Sequence, residues 1–330
     1  NMLTTGKALP SVYGAKAPKT NNADLRTKGY ELALSWRDRF VLFGQPFDYN
    51  VTATFNDFVG EITKFDNPTK DLSTYYEGMR YGEIWGYTTD GLFQSDEEAR
   101  NYPVDQSPVC THNYSSTGDD KGLRAGDLKY VDIDGDKIIG TGSNTVDNPG
   151  DRKIIGNSRP RFQYGLTLGF NYYGFDFSIF FQGIGRQDWY PGTDARYFWG
   201  PYTRPFSSWL QKGFLDRCWS EENPDAYFPR PRAYAAFKSN DMLGAVNDRY
   251  LQNLGYCRLK NLTVGYTLPK KWMDKIKMDS IRIYFSGENL ACIAPGLMCD
   301  YMDPEMALVG GKCHIYPWQK TFMFGIDINF

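Results

Sequence analysis

The closing stretch KTFMFGIDINF alternates without a break: Phe322, Phe324, Ile326, Ile328 and Phe330 fall on one side, Met323, Gly325, Asp327 and Asn329 on the other. A period of two is what a β-strand with one apolar face requires. The same period returns in six more segments. YELALSW sets Tyr30, Leu32, Leu34 and Trp36 against Glu31, Ala33 and Ser35, and FDYNVTATF sets Phe47, Tyr49, Val51, Ala53 and Phe55 against Asp48, Asn50, Thr52 and Thr54. RFQYGLTLGFNY places Phe162, Tyr164, Leu166, Leu168, Phe170 and Tyr172 on its apolar side, and FDFSIFFQ places Phe175, Phe177, Ile179 and Phe181 there. NLTVGYTL contributes Leu262, Val264, Tyr266 and Leu268, and SIRIYFSGE contributes Ile281, Ile283 and Phe285. Within these seven segments no charge or amide stands on an apolar face.

A soluble β-sandwich also alternates, so the other face has to discriminate. Here that face is poor in Lys and Glu and rich in Gly, Thr, Asn and Asp, as the inside of a water-filled barrel would be. Aromatic residues gather at the ends of the apolar faces, as in membrane-interface girdles. The apolar runs also suit tilted spanning strands of about 9 to 11 residues. Composition agrees: the 330 residues include 24 Tyr and 22 Phe, yet mean hydropathy is negative and no helix-length apolar stretch exists. A helical membrane protein is thereby excluded. A formal net charge of −2 offers no electrostatic case for nucleic acid.

The connections sharpen the expectation. Strand 30–36 joins 47–55 through a short turn near RDRFVLFGQP, 162–172 joins 175–181 through YYG, and 262–268 joins 281–287 through PKKWMDKIKMD. These alternate with long segments rich in Gly, Pro, Asp and Trp, chiefly 58–159 and 185–255, with a third over 288–320. Short turns on one side and long loops on the other describe an all-β, antiparallel transmembrane β-barrel with long extracellular loops. Seven strands alone would leave open edges in lipid, which a bilayer does not tolerate. The terminal aromatic Phe330 fits a barrel-assembly signal. Asn1 follows neither an initiator Met nor a signal peptide, as expected of a fragment or of a processed product.

The ordered segments LPSVYGAKAPKTNNADLRTKGYELALSW, GEIWGYTTDGLFQSDEEA, GDLKYVDIDGD, DRKIIGNSRPRFQYGLTLGFNYYGFDFSIFFQG, YLQNLGYCRLKNLTVGYTLPKKW, IRIYFSGENL, DYMDPE and YPWQKTFMFGIDINF run through nearly the whole chain. Together they resemble the SusC/RagA-type TonB-dependent transporters of Bacteroidetes. The resemblance implies a 22-stranded outer-membrane barrel with an N-terminal plug, energised by the TonB complex through a region absent from this chain. It also implies a SusD-like surface lipoprotein partner. Residues 1–330 correspond to about seven C-terminal strands of such a barrel. The implied activity is active import of oligomeric nutrient, oligosaccharide or peptide, across the outer membrane. A passive porin or a soluble glycan-binding β-module are the alternatives that composition alone leaves open.

Catalysis finds no support. GIG at Gly183–Gly185 and GTGS at Gly140–Ser143 lack the context of a phosphate loop. His112 and His314 sit in loops with no nucleophile arrangement, and Glu97 and Glu98 read as a solvated surface. The six cysteines show no metal-ligand spacing, and Cys299 and Cys313 are a candidate pair within one loop. Trp85, Trp189, Trp199, Trp209 and Trp219 all fall in the long loops, where a ring either contacts cargo or partner, or packs the loop.

The most specific chemical motif is DIDGD. Asp132, Asp134 and Asp136 stand at alternate positions, the spacing at which a calcium loop wraps its ion, and the Ile138 carbonyl falls where such a loop supplies a backbone oxygen. The match is partial. Lys137 replaces the sixth-position Gly and Ser143 the twelfth-position Glu. By resemblance the closing acid is Asp151, with Asp147 as substitute. A structural calcium ion is the cofactor this motif implies; an acidic turn without an ion is the competing reading.

Overall fold

The computed structural model describes residues 2–5, 18–110, 122–203, 210–232, 236, 238–299, 302–309 and 316–330. In chain order its strands are β1 (Met2–Thr5), β2 (Lys19–Leu42), β3 (Gln45–Phe65), β4 (Glu83–Tyr87), β5 (Thr89–Leu92), β6 (Leu128–Tyr130) and β7 (Arg152–Asn157). There follow β8 (Arg161–Tyr172), β9 (Phe175–Arg186), β10 (Asp188–Trp189), β11 (Gln252–Asn253), β12 (Tyr256–Thr267), β13 (Ser280–Ile293) and β14 (Thr321–Asn329). Short helices α1 (Asp96–Asn101), α2 (Arg196–Trp199) and α3 (Lys270–Ile276) interrupt the loops.

Eight strands form one antiparallel sheet in the order β1-β2-β3-β8-β9-β12-β13-β14. The seven alternating segments are seven consecutive members of it; β1, which pairs with Lys19–Ala23, is an eighth strand that the alternation does not reveal. The sheet is open, with β1 and β14 at its edges.

Register carries the apolar side chains into continuous rows. Trp36 lies opposite Val51, Val51 opposite Leu168, Leu168 opposite Ile179, Ile179 opposite Leu262, Leu262 opposite Gly287, and Gly287 opposite Phe322. This face is turned outward and uncovered: Leu34 is 60% exposed and Phe324 84%. An apolar surface of that extent marks contact with another apolar phase. Near the short turns the rings of Phe40, Phe47, Phe170 and Phe177 touch across strands at centroid distances of 5.0 to 5.6 Å, and Phe175 meets Tyr266 at 4.5 Å. Such cross-strand aromatic pairs stabilise a sheet and form the girdle that the sequence implies.

The opposite face is polar and ion-paired. Arg282 bridges Asp176 at 2.7 Å and Asp327 at 3.1 Å, and Arg39 pairs with Asp48. A side chain at Gly325 would come within 2.2 Å of the Tyr284 ring, so this glycine is what allows the ring to lie across the polar face.

Two expectations about the connections are corrected. RDRFVLFGQP is mostly strand: β2 and β3 are 24 and 21 residues long and meet in a two-residue turn, Phe43–Gly44, with φ of 48° and 79°. Tyr173–Gly174 repeats that geometry with 51° and 87°. Both residues of such a turn need positive φ, and its twist matches that of the strands it joins. Extending β2 also brings Asp38 by parity onto the apolar face, beyond the uncharged run 30–36. At the other end β3 pairs with β8 only as far as Asn56, so the β2–β3 hairpin projects past the sheet into the loops. The long loops accordingly begin later than 58 and 185, and PKKWMDKIKMD contains α3.

The hydrophobic core lies outside the large sheet. Its members, among them Phe93, Tyr130, Phe198, Trp199, Tyr202, Phe228, Tyr250 and Leu254, all come from loop segments between Tyr87 and Ala307, and none belongs to the eight strands. Three two-stranded ladders, β4-β7, β5-β6 and β10-β11, scaffold this body.

A charge at the centre of the apolar rows tests their orientation. Leu168→Arg in the full-length protein should destabilise the membrane-inserted barrel by roughly 2–4 kcal/mol, whereas Thr167→Arg on the polar face should cost far less. Denaturant titration in lipid vesicles reads the difference, and equal costs would mean that the face is misassigned.

Candidate functional site

The DIDGD segment leaves β6 and forms a tight turn. Gly135 occupies the left-handed region at φ 83°, and Lys137 does so at 65°. Lys137 thus adopts the kind of conformation for which a calcium loop uses glycine at that position. The Asp132 carboxylate accepts the Gly135 N–H at 2.7 Å and the Lys137 N–H at 3.0 Å. Asp134 accepts from Asp136 N–H at 3.2 Å, and Asp136 from Ile138 N–H at 2.7 Å. One carboxylate oxygen from each of Asp132, Asp134 and Asp136 lies within 4.8 Å of the others, at the protein surface. Three hard anionic oxygens converging in this way suit a calcium ion.

Asp151 is placed differently. It is buried, with Oδ1 accepting the Ile133 N–H at 2.6 Å and Oδ2 the Gly140 N–H at 2.8 Å. Burial pushes its carboxyl above the ordinary value, and the two backbone donors pull it back. Neither Asp151 nor the exposed Asp147 joins the carboxylate cluster. Asp151 ties the two ends of the turn together. Ile138 is a surface residue in an isolated bridge with Asp105.

The tryptophans divide by burial. Trp199 is fully buried, donates its indole N–H to Pro191 O at 3.1 Å, and meets Phe198 and Tyr250 at 4.8 and 5.3 Å. Trp189 packs edge-on to Phe198, and Trp219 lies beneath the Arg230 guanidinium at 4.9 Å. Rings enclosed in this core are packing residues, the second of the two readings that the sequence leaves open for them, and not exposed contact surfaces. Trp85 is half-buried and donates to Glu83 at 2.9 Å. Trp209, and the Cys299–Cys313 pairing through Cys313, lie outside the described residues, as do His112 and His314. Phe330 follows β14 and is 86% exposed.

The two longest loops interlock. Tyr130 donates its hydroxyl to Met242 O at 2.6 Å, and Thr89 donates through N–H and hydroxyl to Asp248 at 3.0 and 2.7 Å. Buried Asp127 pairs with Arg232; burial raises its carboxyl above the usual range and the guanidinium opposes that rise.

Sequence reading missed the charged anchor that holds the third loop. Arg258 of β12, nearly buried on the polar face, donates to Asp303 at 2.6 Å and lies 2.8 Å from Glu305. Glu305 also receives Lys260 at 3.0 Å and the Trp318 indole at 2.9 Å. Two acids in DYMDPE are therefore tied to two bases in YCRLKN. Lone bases in an otherwise uncharged strand and a Pro-flanked acidic pair were the available signals.

Comparison with known proteins comes from three directions. No protein-family profile matches the chain. It is similar to two TonB-dependent receptors of Formosa agariphila, P3 at 26% identity and P39 at 23%, each over 98% of the chain. The chain spans only 30% and 32% of those relatives' length. Among solved structures it resembles one described as the RagAB peptide transporter, with a TM-score of 0.65, 19% identity, and coverage of 100% of this chain and 32% of that one. The same transporter in an open-open state gives a TM-score of 0.65 at 20% identity. At such identity the likeness speaks for the fold. The relatives' names are those of receptors and transporters, not of enzymes.

Removing one side of the buried anchor should release the third loop. Arg258→Ala in the full-length protein leaves Asp303 without its cation, at a cost of roughly 3–5 kcal/mol. Limited proteolysis should then cut near residues 302–309 while the sheet stays protected; an unchanged digestion pattern would refute the anchor.

Proposed function

Starting from a chain that is SusC/RagA-like, we propose that it forms the C-terminal arc of a TonB-dependent outer-membrane barrel that imports oligomeric nutrient. The observation that carries this reading is the run of uncovered apolar rows across seven strands, backed by a polar, ion-paired face. A lipid phase suits the first, and water the second. Similarity to TonB-dependent receptors supports energised uptake. Similarity to a peptide transporter supports an oligomer as cargo, glycan or peptide. The interlocked loops offer a preformed outer surface, and on this reading a SusD-like lipoprotein sits there. TonB acts through a region outside this chain.

The test is uptake of labelled oligopeptides and oligosaccharides by cells carrying the full-length protein, with and without TonB. Uptake should collapse to background without TonB, and the barrel drawn from native membranes should bring a lipoprotein with it in near-equal amount. Equal uptake in both strains would favour a passive porin.

For the DIDGD turn the reading is a structural calcium site held by Asp132, Asp134 and Asp136. The convergence of their oxygens favours it, since unshielded carboxylates this close repel one another. Such an ion would offset that repulsion and stiffen the turn, with no part in chemistry. Asp134→Ala and a chelator should each raise protease sensitivity around 132–151, without additive effect. If both leave the digestion rate unchanged, the segment is only a turn.

A further inference from the structure

Beneath the projecting end of the β2–β3 hairpin lies a cleft of about 760 Å3. Leu25 and Thr27 of β2 enter it from the same side of the strand as Gly29 and Glu31, and their partner Gly60 and neighbour Phe58 do so from β3. The cleft therefore opens on the polar face, at the loop end of the sheet. The β4-β7 ladder forms its far wall. Much of its lining is apolar, with Leu25, Phe58, Val59, Ile154, Ile155 and Phe162 among the lining residues.

Four guanidinium groups line this cleft, Arg80, Arg159, Arg161 and Arg186, against two carboxylates, Glu83 and Asp188. Two of the four are neutralised. Arg161 forks onto Asp57 at 2.5 and 2.6 Å, and Arg186 bonds Asp188 at 3.1 Å. Glu83 is occupied by the Tyr76 hydroxyl, the Trp85 indole and the Arg80 backbone N–H. Among the described residues no carboxylate is hydrogen-bonded to or ion-paired with the Arg80 or Arg159 guanidinium; Glu61, in an isolated bridge with Arg80, feels its charge but is paired with Arg26 at 2.7 Å. Both side chains belong to exposed residues. The Arg159 guanidinium is stationed over the Tyr81 ring, 4.0 Å from its centroid, which holds the cation in place and leaves its edge donors free. Two forked donors with no bonded carboxylate, in a cleft with a largely apolar lining, are suited to a carboxylate attached to something apolar. Concave low-dielectric walls strengthen their field.

We propose that this cleft is a specificity subsite for an acidic peptide segment, its carboxylates received by Arg80 and Arg159 and its neighbouring apolar side chains seated against the apolar lining. The inference rests on the importer reading and adds the sign and kind of cargo. A uronic-acid oligosaccharide would present the same carboxylates, but its hydroxylated rings gain less from an apolar lining than Leu or Phe side chains do.

The experiment compares uptake by cells carrying the full-length protein of two decapeptides with the same Leu and Phe content, one bearing Glu where the other bears Gln. The parent should import the Glu peptide faster. The double variant Arg80→Gln, Arg159→Gln should lose roughly tenfold or more of Glu-peptide uptake, the scale of lost charge-assisted hydrogen bonds, while Gln-peptide uptake holds. That retained uptake shows the variant to be folded and inserted. Equal loss of both peptides, or no preference in the parent, would overturn the subsite while leaving TonB-dependent import intact. Stronger competition by oligogalacturonate than by the Glu peptide would overturn the peptide assignment. If the parent imports no peptide or saccharide in a TonB-dependent way, the importer reading itself falls.

Discussion

Hydrocarbon offers no hydrogen bonds, so every backbone N–H and C=O that enters it must be bonded sideways to another strand. On the membrane-barrel reading proposed above, the rest of this structure depends on that constraint. It explains why β2, β3, β8, β9, β12, β13 and β14 stand as unbroken neighbours however much chain separates them, with 95 residues between β3 and β8 and only two between β8 and β9. It also explains the alternation. A strand with lipid on one face and water on the other has no choice but to change polarity at each residue.

That arrangement inverts the usual location of a core. In a water-soluble sheet the apolar faces would meet one another; here they are turned out, and the buried aromatic cluster forms among the loops instead. Loops of such length remain ordered only when they bury their own apolar surface, at roughly 1.5–3 kcal/mol for each large side chain enclosed. Trp199, Tyr250 and Phe228 serve that purpose. The result is a folded cap whose position is fixed to the sheet by charge, through Arg258 with Asp303 and Glu305, and by the β2–β3 hairpin that rises into it.

A cap built in this way is rigid where its ladders and ion pairs lie and chemically distinct at its margins. The acidic turn at 132–136 lies on its surface, closed by the Asp151 carboxylate. The cationic cleft lies where cap and sheet meet, so its two walls belong to different bodies held in register by the β3 backbone, which pairs with β2 and, through Gly60 and Ile62, with residues 78–81. Sites assembled between rigid elements hold their geometry better than sites on a single loop.

Alternation determined seven strands of the large sheet, their apolar faces and the aromatic girdle, and the short turns between them its antiparallel layout, because a polarity pattern and a tight turn are local and need no knowledge of distant contacts. Aspartates two residues apart were legible for the same reason: their convergence at 132, 134 and 136 follows from a local turn. Everything that depends on residues far apart in the chain was decided only by tertiary structure. The reach of β2 and β3 past β8 depends on partners at 78–81, and Lys137 and Phe43 accept positive φ that their side chains would not advertise. Whether a loop tryptophan faces cargo or core depends on which other loop closes over it. The pairing of Arg258 with Asp303 spans 45 residues, and the cleft draws its arginines from positions as distant as 80 and 186. A charge in a sequence has no visible partner; only the fold shows which ones are answered within the chain.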